Sequence, residues 1–404
     1  MKNNNNKNIL KSSSFTLIEL IIVLAIISIL VTILIATIKP TEIFKKTRDS
    51  KRIADLKNIE KTIDLLYSTY PNFNELNYAS TNIVYISLKD NSPTCSSYIS
   101  QLPSLPPGYQ YRCSANPQNI DGTGWIPIPF KNFDIINLAN LPIDPINKPP
   151  YYYTFVVGGS YAVYTMLEDP KNQASKNDGD NYPHLYSVGT NKRLIDKAQG
   201  LVGYWTFDEG TGTIAYDYSG NGNNGILVNG PTWTTGKVGG ALSFDGVDDY
   251  VHILDSDSLD VRKITMMAWI KLPSYTCSPD RGIIFNKEGA YEWGTRCGSG
   301  NLDAAISPNW VWYGTSDIVP LNTFTFVAVS WDGDRQKYYI NGTLKLNLDL
   351  SNGDIAVNAS CLRIGGRGGC GTPYSFFNGI LDEVRLYNRA LSDTEIKVLY
   401  DATK

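Results

Sequence analysis

Histidine is nearly missing from this chain of 404 residues: His184 and His252 are the two that occur. That shortage, with the lack of any Cys-x-x-Cys pair, excludes a cysteine–histidine zinc site. A Ser-His-Asp centre would have to use one of the two, and neither stands near a recognisable nucleophile turn. Glycoside hydrolysis needs two carboxyl groups about 5–9 Å apart, and no Glu-x-Asp-x-Glu run supplies them along one strand. Asp382 and Glu383 are consecutive, so on a strand they point to opposite faces. Concentrated positive charge is missing too. The net charge is −3 with both signs scattered, which argues against a nucleic-acid partner. The expectation is a protein that is not an enzyme.

One long stretch lacks charge altogether. Residues 20–38 continue a run that begins at Phe15, FTLIELIIVLAIISILVTILIATI. At about 1.5 Å per residue this run can cross a bilayer as one helix. Glu19 sits just inside it, where a carboxylate in lipid costs about 2–4 kcal/mol, so it reads as functional. Residues 1–14 carry Lys2, Lys7 and Lys11 and no acid, which holds that end on the cytoplasmic side. A secretory signal peptide has an apolar core of about 7–15 residues and a small-residue cleavage site, and neither fits. A plain membrane anchor accounts for the length but leaves Glu19 and the Ser-Phe-Thr-Leu-Ile-Glu junction unexplained.

That junction resembles the one in type IV pilin and pseudopilin precursors. The resemblance implies that a prepilin peptidase removes residues 1–14 by cutting between Ser14 and Phe15, and that the new N-terminus is methylated. It also implies that Glu19 pairs with the N-terminal amine of a neighbouring subunit. Opposite charge is what lets an acid sit in a filament core. The family usually has glycine before the cut; here the residue is Ser14. Other pilin-like subunits are the implied partners. The implied location is a single pass through the bacterial plasma (inner) membrane, then a cell-surface filament with the C-terminal part extracellular or periplasmic.

Pro40 marks a break, and a helix pattern resumes over 41–70. Ile53, Leu56, Ile59, Ile63, Leu66 and Tyr70 recur at steps of three and four, giving one apolar stripe. Pro71 ends the run. Residues 15–70 are therefore read as one N-terminal helix, a membrane half at 15–38 and an amphipathic half at 41–70. Beyond it, IVYISL, YYYTFVV and YAVYTML are strand-like, with Gly158-Gly159 as a hairpin turn. The stretch LPIDPINKPPYYYTF with YAVYTMLED resembles the C-terminal sheet of pseudopilin heads. Some such heads bind calcium in the following loop, where Glu168, Asp169, Asp178 and Asp180 are ligands of the right type. A solvated acidic loop is the plain alternative. Polar sequence over 169–199 finishes the head and serves as linker, so head and linker take 71–196.

From Gly200 to Lys404 the pattern is all β. Runs such as ALSFDG, ITMMAWIKL and FTFVAVSWDG alternate with Asn-Gly, Asp-Gly and Gly-Gly turns, as in a two-sheet sandwich. Ser392-Asp-Thr-Glu395 is a capping box before a short helix. In order, GLVGYWTFDEGTG, DYSGNGNNG, GGALSFDGVDDYV, ITMMAWIK, FVAVSWDG, YYINGT, LRIGG and NGILDEVRLYNRALSDTEI resemble the laminin-G-like, concanavalin A-like jelly-roll family. The resemblance implies antiparallel strands with the first and last side by side, in a module that binds carbohydrate or protein. The fold class is thus an α+β pilin-like head on a long N-terminal helix, followed by an all-β concanavalin A-like sandwich.

Many relatives in that family hold one calcium near the paired terminal strands. The donors it implies here are Asp208, Asp217, Asn223 and Asp382; unaided turn formation is the plain reading of Asp217 and Asn223. For ligand binding, Tyr291, Trp293, Trp310, Trp312 and Tyr313 lie in loop-like or strand-edge sequence with Arg296 nearby, rings for sugar faces and a group for hydroxyls. Alternation in WVWY puts 310 and 312 on one face, which also suits a core. Trp205, Trp269 and Trp331 are assigned to packing. Six cysteines suggest disulfides in an oxidising space, pairing neighbours: Cys95–Cys113, Cys277–Cys297 and Cys361–Cys370. Together these describe a pilin-like subunit, minor or at a filament tip, displaying a lectin-like domain to a carbohydrate or surface protein. The alternative is a pseudopilin of a type II secretion or DNA-uptake machine whose sandwich binds cargo or partner subunits. A third reading is a membrane anchor that does not assemble.

Overall fold

A computed structural model describes residues 16–38, 40–169, 172–277 and 279–404. Ser14 and Phe15, the expected cleavage pair, lie outside the described residues. The chain divides into two compact units, Met1–Ser50 and Lys51–Lys404.

The first unit contains α1 (Leu17–Ile38), and α2 (Pro40–Thr69) begins in it. Proline suits the first position of α2, where its missing N–H would have no partner anyway. Side chains of 17–31 are exposed, and those of 32–40 lie outside the description. Among the described residues no helix is long and apolar enough to cross a membrane. Glu19 has a local partner: the Thr16 N–H and hydroxyl donate to Glu19 Oε2 at 2.8 and 2.7 Å, and the Glu19 N–H donates to Thr16 Oγ1 at 3.4 Å. This reciprocal pair is a capping box, so Glu19 closes the start of its own helix.

The second unit has two lobes. In the N-terminal lobe the strands are β1 (Ile83–Lys89), β2 (Gln110–Ser114), β3 (Tyr153–Val157), β4 (Tyr161–Met166) and β5 (Leu185–Val188). They form one sheet in the order β2-β1-β3-β4-β5, with β1 and β2 parallel. Both faces of the sheet are covered, which is why YYYTFVV is unbroken by polar alternation. On one face lie Leu56, Ile59, Ile63 and Leu66 of α2, the predicted stripe, packed with Trp125, Phe155 and Tyr161. Arg52 fixes the helix there: Nε and Nη2 reach the Asp144 carboxylate at 2.6 and 3.0 Å, and Nη1 reaches Glu168 at 2.7 Å. Glu168 thereby forms an ion pair with Arg52.

The polar segment after Asp169 supplies more structure than its composition suggests. It forms α3 (Gln173–Lys176), β5 and α4 (Arg193–Gln199), and Gly200 caps α4 in the left-handed region at φ +77°. Leu201 then opens the C-terminal lobe directly. Its first strands are β6 (Leu201–Trp205), β7 (Ile214–Ala215), β8 (Gly225–Val228), β9 (Thr232–Thr235), β10 (Gly240–Asp245), β11 (Tyr250–Ile253) and β12 (Ile264–Lys271). Next come β13 (Arg281–Lys287), β14 (Tyr291–Arg296), β15 (Asn301–Ile306), β16 (Val311–Ile318) and β17 (Thr325–Trp331). The last are β18 (Arg335–Ile340), β19 (Thr343–Asp349), β20 (Leu362–Ile364) and β21 (Asn378–Tyr387), before α5 (Asp393–Thr403) with its Ser392–Glu395 capping box.

Two eight-stranded sheets result. One runs β19-β18-β17-β12-β21-β10-β9, with β6 paired to β21; the other runs β16-β15-β14-β13-β20-β11-β8-β7. First and last strands of the lobe lie side by side, as expected: Tyr204 opposes Arg385. The strand ITMMAWIK shows how the layers stack. Ile264, Met266, Ala268 and Ile270 face the core between the sheets, while Met267 and Trp269 face the other way. That outer face is not solvated. Met267, Trp269, Phe326, Tyr387 and Ile396 share one buried cluster with Val84, Ile86, Tyr164 and Ile195 of the N-terminal lobe. The Arg389 Nε donates to the Gln199 carbonyl across the same seam at 2.7 Å.

Candidate functional site

The first sheet packs its outer side on the other lobe; the outer side of the second is buried in its middle and exposed toward β7 and β8. Register determines what stands on it. Trp312 opposes Ala305, which opposes Glu292, which opposes Asn286. Asn286 opposes Arg363, then come His252, Ile226 and Ile214. Residues directly opposite in neighbouring strands share a face, so these eight form one row across all eight strands. At about 4.8 Å per strand the row is about 34 Å long.

Glu292 lies near its centre. It is buried; its Oε2 accepts from Asn286 Nδ2 at 2.7 Å and from Arg367 Nε at 2.9 Å. Its Oε1 is buried with no hydrogen-bond partner among the described residues. Burial pushes the carboxyl up to about 7 against the pull of Arg367. Two positions along the same face, Gly294 opposes Asp303. Asp303 Oδ2 accepts from Arg296 Nε at 2.9 Å and Arg281 Nε at 3.2 Å, while Oδ1 is buried with no partner among the described residues. Asp303 fits because its neighbour across β16 is Gly314, where a Cβ would collide with Oδ1. Trp312 is half-buried beside these groups, with the Arg281 guanidinium 3.8 Å and the Arg367 guanidinium 5.5 Å from its ring centre.

Arg367 comes from the loop after β20, which folds back over the sheet. The Cys361–Cys370 disulfide closes this loop. Arg363 donates to the Arg367 and Gly371 carbonyls at 2.7 and 2.5 Å, and the N–H groups of Gly368 and Gly369 donate to Asn286 Oδ1 at 2.9 and 3.0 Å. Asn286 thus holds the loop with its oxygen and Glu292 with its nitrogen. His252, next to Arg363, is held below its usual range by burial and by that guanidinium.

The residues expected to bind a ligand divide. Trp312 and Arg296 stand on this face. Tyr291 and Trp293 do not: they are fully buried, Trp293 stacked on Phe285 and the Tyr291 hydroxyl bonded to the Leu259 carbonyl. The correction is topological, because β14 lies inside the sheet and its odd positions point to the core. Trp310 occupies the turn before β16 at φ +49°, so strand alternation does not link it to Trp312, and Tyr313 lies on the opposite side of β16 from Trp312. Sequence reasoning missed Asn286, Glu292, Asp303, Arg281, Arg363 and Arg367. A period-two signal was present in YEWGTR: once Tyr291 and Trp293 are inward, Glu292 and Arg296 must be outward.

Two of the four expected calcium donors, Asp217 and Asn223, are taken up inside the fold. Asp217 Oδ1 accepts from the N–H groups of Tyr204 and Ser219, and Oδ2 accepts from the Ser219 hydroxyl and the Asn223 N–H. Asn223 Oδ1 accepts from the hydroxyls of Ser256 and Ser258. Those oxygens are occupied inside the fold, whereas Asp382 Oδ1 is buried without a hydrogen-bond partner among the described residues. Asp208 and Asp382 instead hold the β9–β10 turn, through the N–H groups of Gly240 and of Lys237 and Val238. Burial raises Asp382 to about 8. Asp245, Asp248 and Asp249 come within 4.8 Å of one another, as partners in a local turn. All three disulfides join the expected neighbours.

Two family models match the chain. One, described as the prokaryotic N-terminal methylation motif, covers residues 9–35; the other, the concanavalin A-like lectin/glucanases superfamily, covers residues 245–397. A comparison with curated proteins finds no match. Among solved structures, domain 4 of AbnA, a GH43 extracellular arabinanase from Geobacillus stearothermophilus in complex with arabinotriose, is 20% identical over 49% of this chain and 97% of that one, with a TM-score of 0.39. The binding domain of Paraclostridial Mosquitocidal Protein 1 is 16% identical over 50% of this chain and 52% of that one, at 0.42. The receptor binding domain of botulinum neurotoxin C/D mosaic serotype is 15% identical over 50% and 51%, at 0.39. The chain spans about half the length of those two toxin chains. It therefore joins a prokaryotic N-terminal methylation motif to a domain of the concanavalin A-like type.

Proposed function

We propose that this is a pilin-type subunit, minor or at a filament tip, that displays a carbohydrate-binding face on the outer side of its second sandwich sheet. The observation that carries the binding half is a pair of buried, unpartnered carboxylate oxygens, Glu292 Oε1 and Asp303 Oδ1, beside the half-buried Trp312 ring. Buried acceptors without donors are costly, and a sugar hydroxyl that entered beside the Trp312 ring would supply the missing donor. The tryptophan offers an apolar plate for a pyranose or furanose ring. This reading is of binding without turnover, since Asp303 is held by two guanidinium groups. The filament half rests on the methylation motif and on Glu19 within the apolar sequence at 15–38.

A glycan array probed with the detergent-purified full chain tests the first half. Trp312→Ala should weaken the captured glycan at least tenfold at unchanged melting temperature, and Glu292→Gln should weaken it at least tenfold in a chain that stays folded. Binding equal to the unmodified chain in both would remove this face from consideration. For the second half, the mass of the mature chain from a sheared surface fraction should correspond to a start at Phe15; a start at Met1 would leave an anchored protein. A protein ligand, as in the secretion or uptake reading, is favoured by the far end of the row, where Ile214 and Ile226 are 40% and 54% exposed.

A further inference from the structure

We infer that a cleft in the N-terminal lobe, on the α2 side of β1 and β2, is a second binding site, for a saccharide that carries a carboxylate. The cleft holds about 690 Å³, within the range of small-molecule sites. It exists because the core under α2 stops short of the sheet edge. Among the described residues, that core takes Tyr85 from β1 and side chains from β3, β4 and β5, but none from β2. Arg112 of β2 opposes Tyr85, and directly opposed residues share a face. A guanidinium therefore stands on the α2 side of the sheet where the apolar core has ended.

Two loops wall this floor, and each is fixed by bonds of its own. The loop after β1 is tied to β2 by the Cys95–Cys113 disulfide and by the Cys113 N–H, which donates to the Pro93 carbonyl at 3.1 Å. The loop after β2 is folded on itself: the Ser114 hydroxyl donates to the Thr123 carbonyl, and the Trp125 N–H to the Pro117 carbonyl. Asp90 is the acid of the wall, and its carboxylate is used up in the same way. Oδ1 accepts the Ser92 N–H and Oδ2 the Ser97 N–H, both at 2.9 Å. Arg112, by contrast, is exposed and makes no ion pair or hydrogen bond with the described residues.

Geometry alone thus leaves the cleft one unengaged charge, and it is positive. A guanidinium takes a carboxylate through two parallel N–H donors. The rest of the lining suits a hydroxylated ring. Asn77, Asn91 and Asn116 line the cleft with amides, each both donor and acceptor, that have no side-chain partner among the described residues. Tyr78 is 37% exposed, with its ring stacked on Phe73 at 6.2 Å, and offers an apolar plate. Walls already held by their own bonds lower the cost of ordering on binding. The face around Glu292 has the opposite demand, acceptors without donors, so the two sites select different sugars.

The test is isothermal titration and thermal melting of the full chain in detergent, with glucuronate, glucose and acetate as separate probes. Glucuronate should bind with a millimolar or tighter Kd and raise the melting temperature. It should bind at least tenfold more tightly than glucose, which lacks the charge, and than acetate, which lacks the ring. Arg112→Gln, at an exposed position, should remove the preference over glucose, and Tyr78→Ala should weaken glucuronate severalfold. Absence of glucuronate binding would overturn the site. So would glucose or acetate binding as tightly, or glucuronate binding that Arg112→Gln leaves intact.

Discussion

At the residue scale, Glu292 carries the most information because it is a carboxyl that the fold both buries and leaves half satisfied. Its value rises from an ordinary 4.5 to about 7. The folded chain therefore holds this proton more tightly than the unfolded one, and the associated stability is present below about pH 4.5 and lost as pH rises through about 7. A shift of that size corresponds to about 3 kcal/mol. Glu292→Gln removes the titration. Its melting temperature relative to the unmodified chain should therefore climb between pH 4.5 and 7.5, whatever constant offset the lost Arg367 ion pair introduces. A pH-independent difference would mean that Glu292 is ionised throughout, and that burial does not dominate its environment.

At the scale of elements, the loop closed by Cys361–Cys370 matters more than its length suggests. It brings Arg367 to Glu292 and Trp312, and it is tied to the sheet through Asn286 and Arg363. Replacing both cysteines by serine should cost about 2–3 kcal/mol, the usual scale for a short loop. Glycan affinity should fall with it, since Arg367 loses its seat. Calorimetric melting and array binding of the double variant check both. A destabilised chain that binds at full strength would assign the loop to stability alone. The Asp217 turn has the contrary character: all its acceptors are filled, and it shapes the chain between β7 and β8 without offering anything to a ligand.

At the scale of the molecule, the two lobes of the 51–404 unit are joined by a core rather than by a tether. Trp269 belongs to that core, seated under α5: it is 3% exposed, its indole N–H is bonded to the Thr403 hydroxyl at 3.0 Å, and its ring lies against Phe326 and Tyr400. Truncating a buried tryptophan costs about 3–5 kcal/mol. Here the loss should be felt by both lobes. Trp269→Ala should lower one shared calorimetric transition; a separate, unshifted transition for the N-terminal lobe would show the seam to be weak. A shared core also means that a load on the sandwich is passed to the N-terminal lobe without a swivel between them.

Much of this was legible in the order of residues. The N-terminal junction, the α2 stripe, the Ser392 capping box, the neighbour-paired cysteines and the succession of short strands are local patterns, set by periodicity and spacing over a few residues. The proposed binding face was not. Whether Tyr291 or Glu292 looks outward depends on β14 having neighbours on both sides, and Trp310 parts from Trp312 because a turn comes between them. The row from Trp312 to Ile214 exists only through the register of eight strands drawn from distant parts of the chain. The polar 169–199 segment likewise reads as a linker until the sheets on either side bury it. Local chemistry decides which elements form; non-local pairing and burial decide which side chains are left unpaired, and those are the ones that can bind.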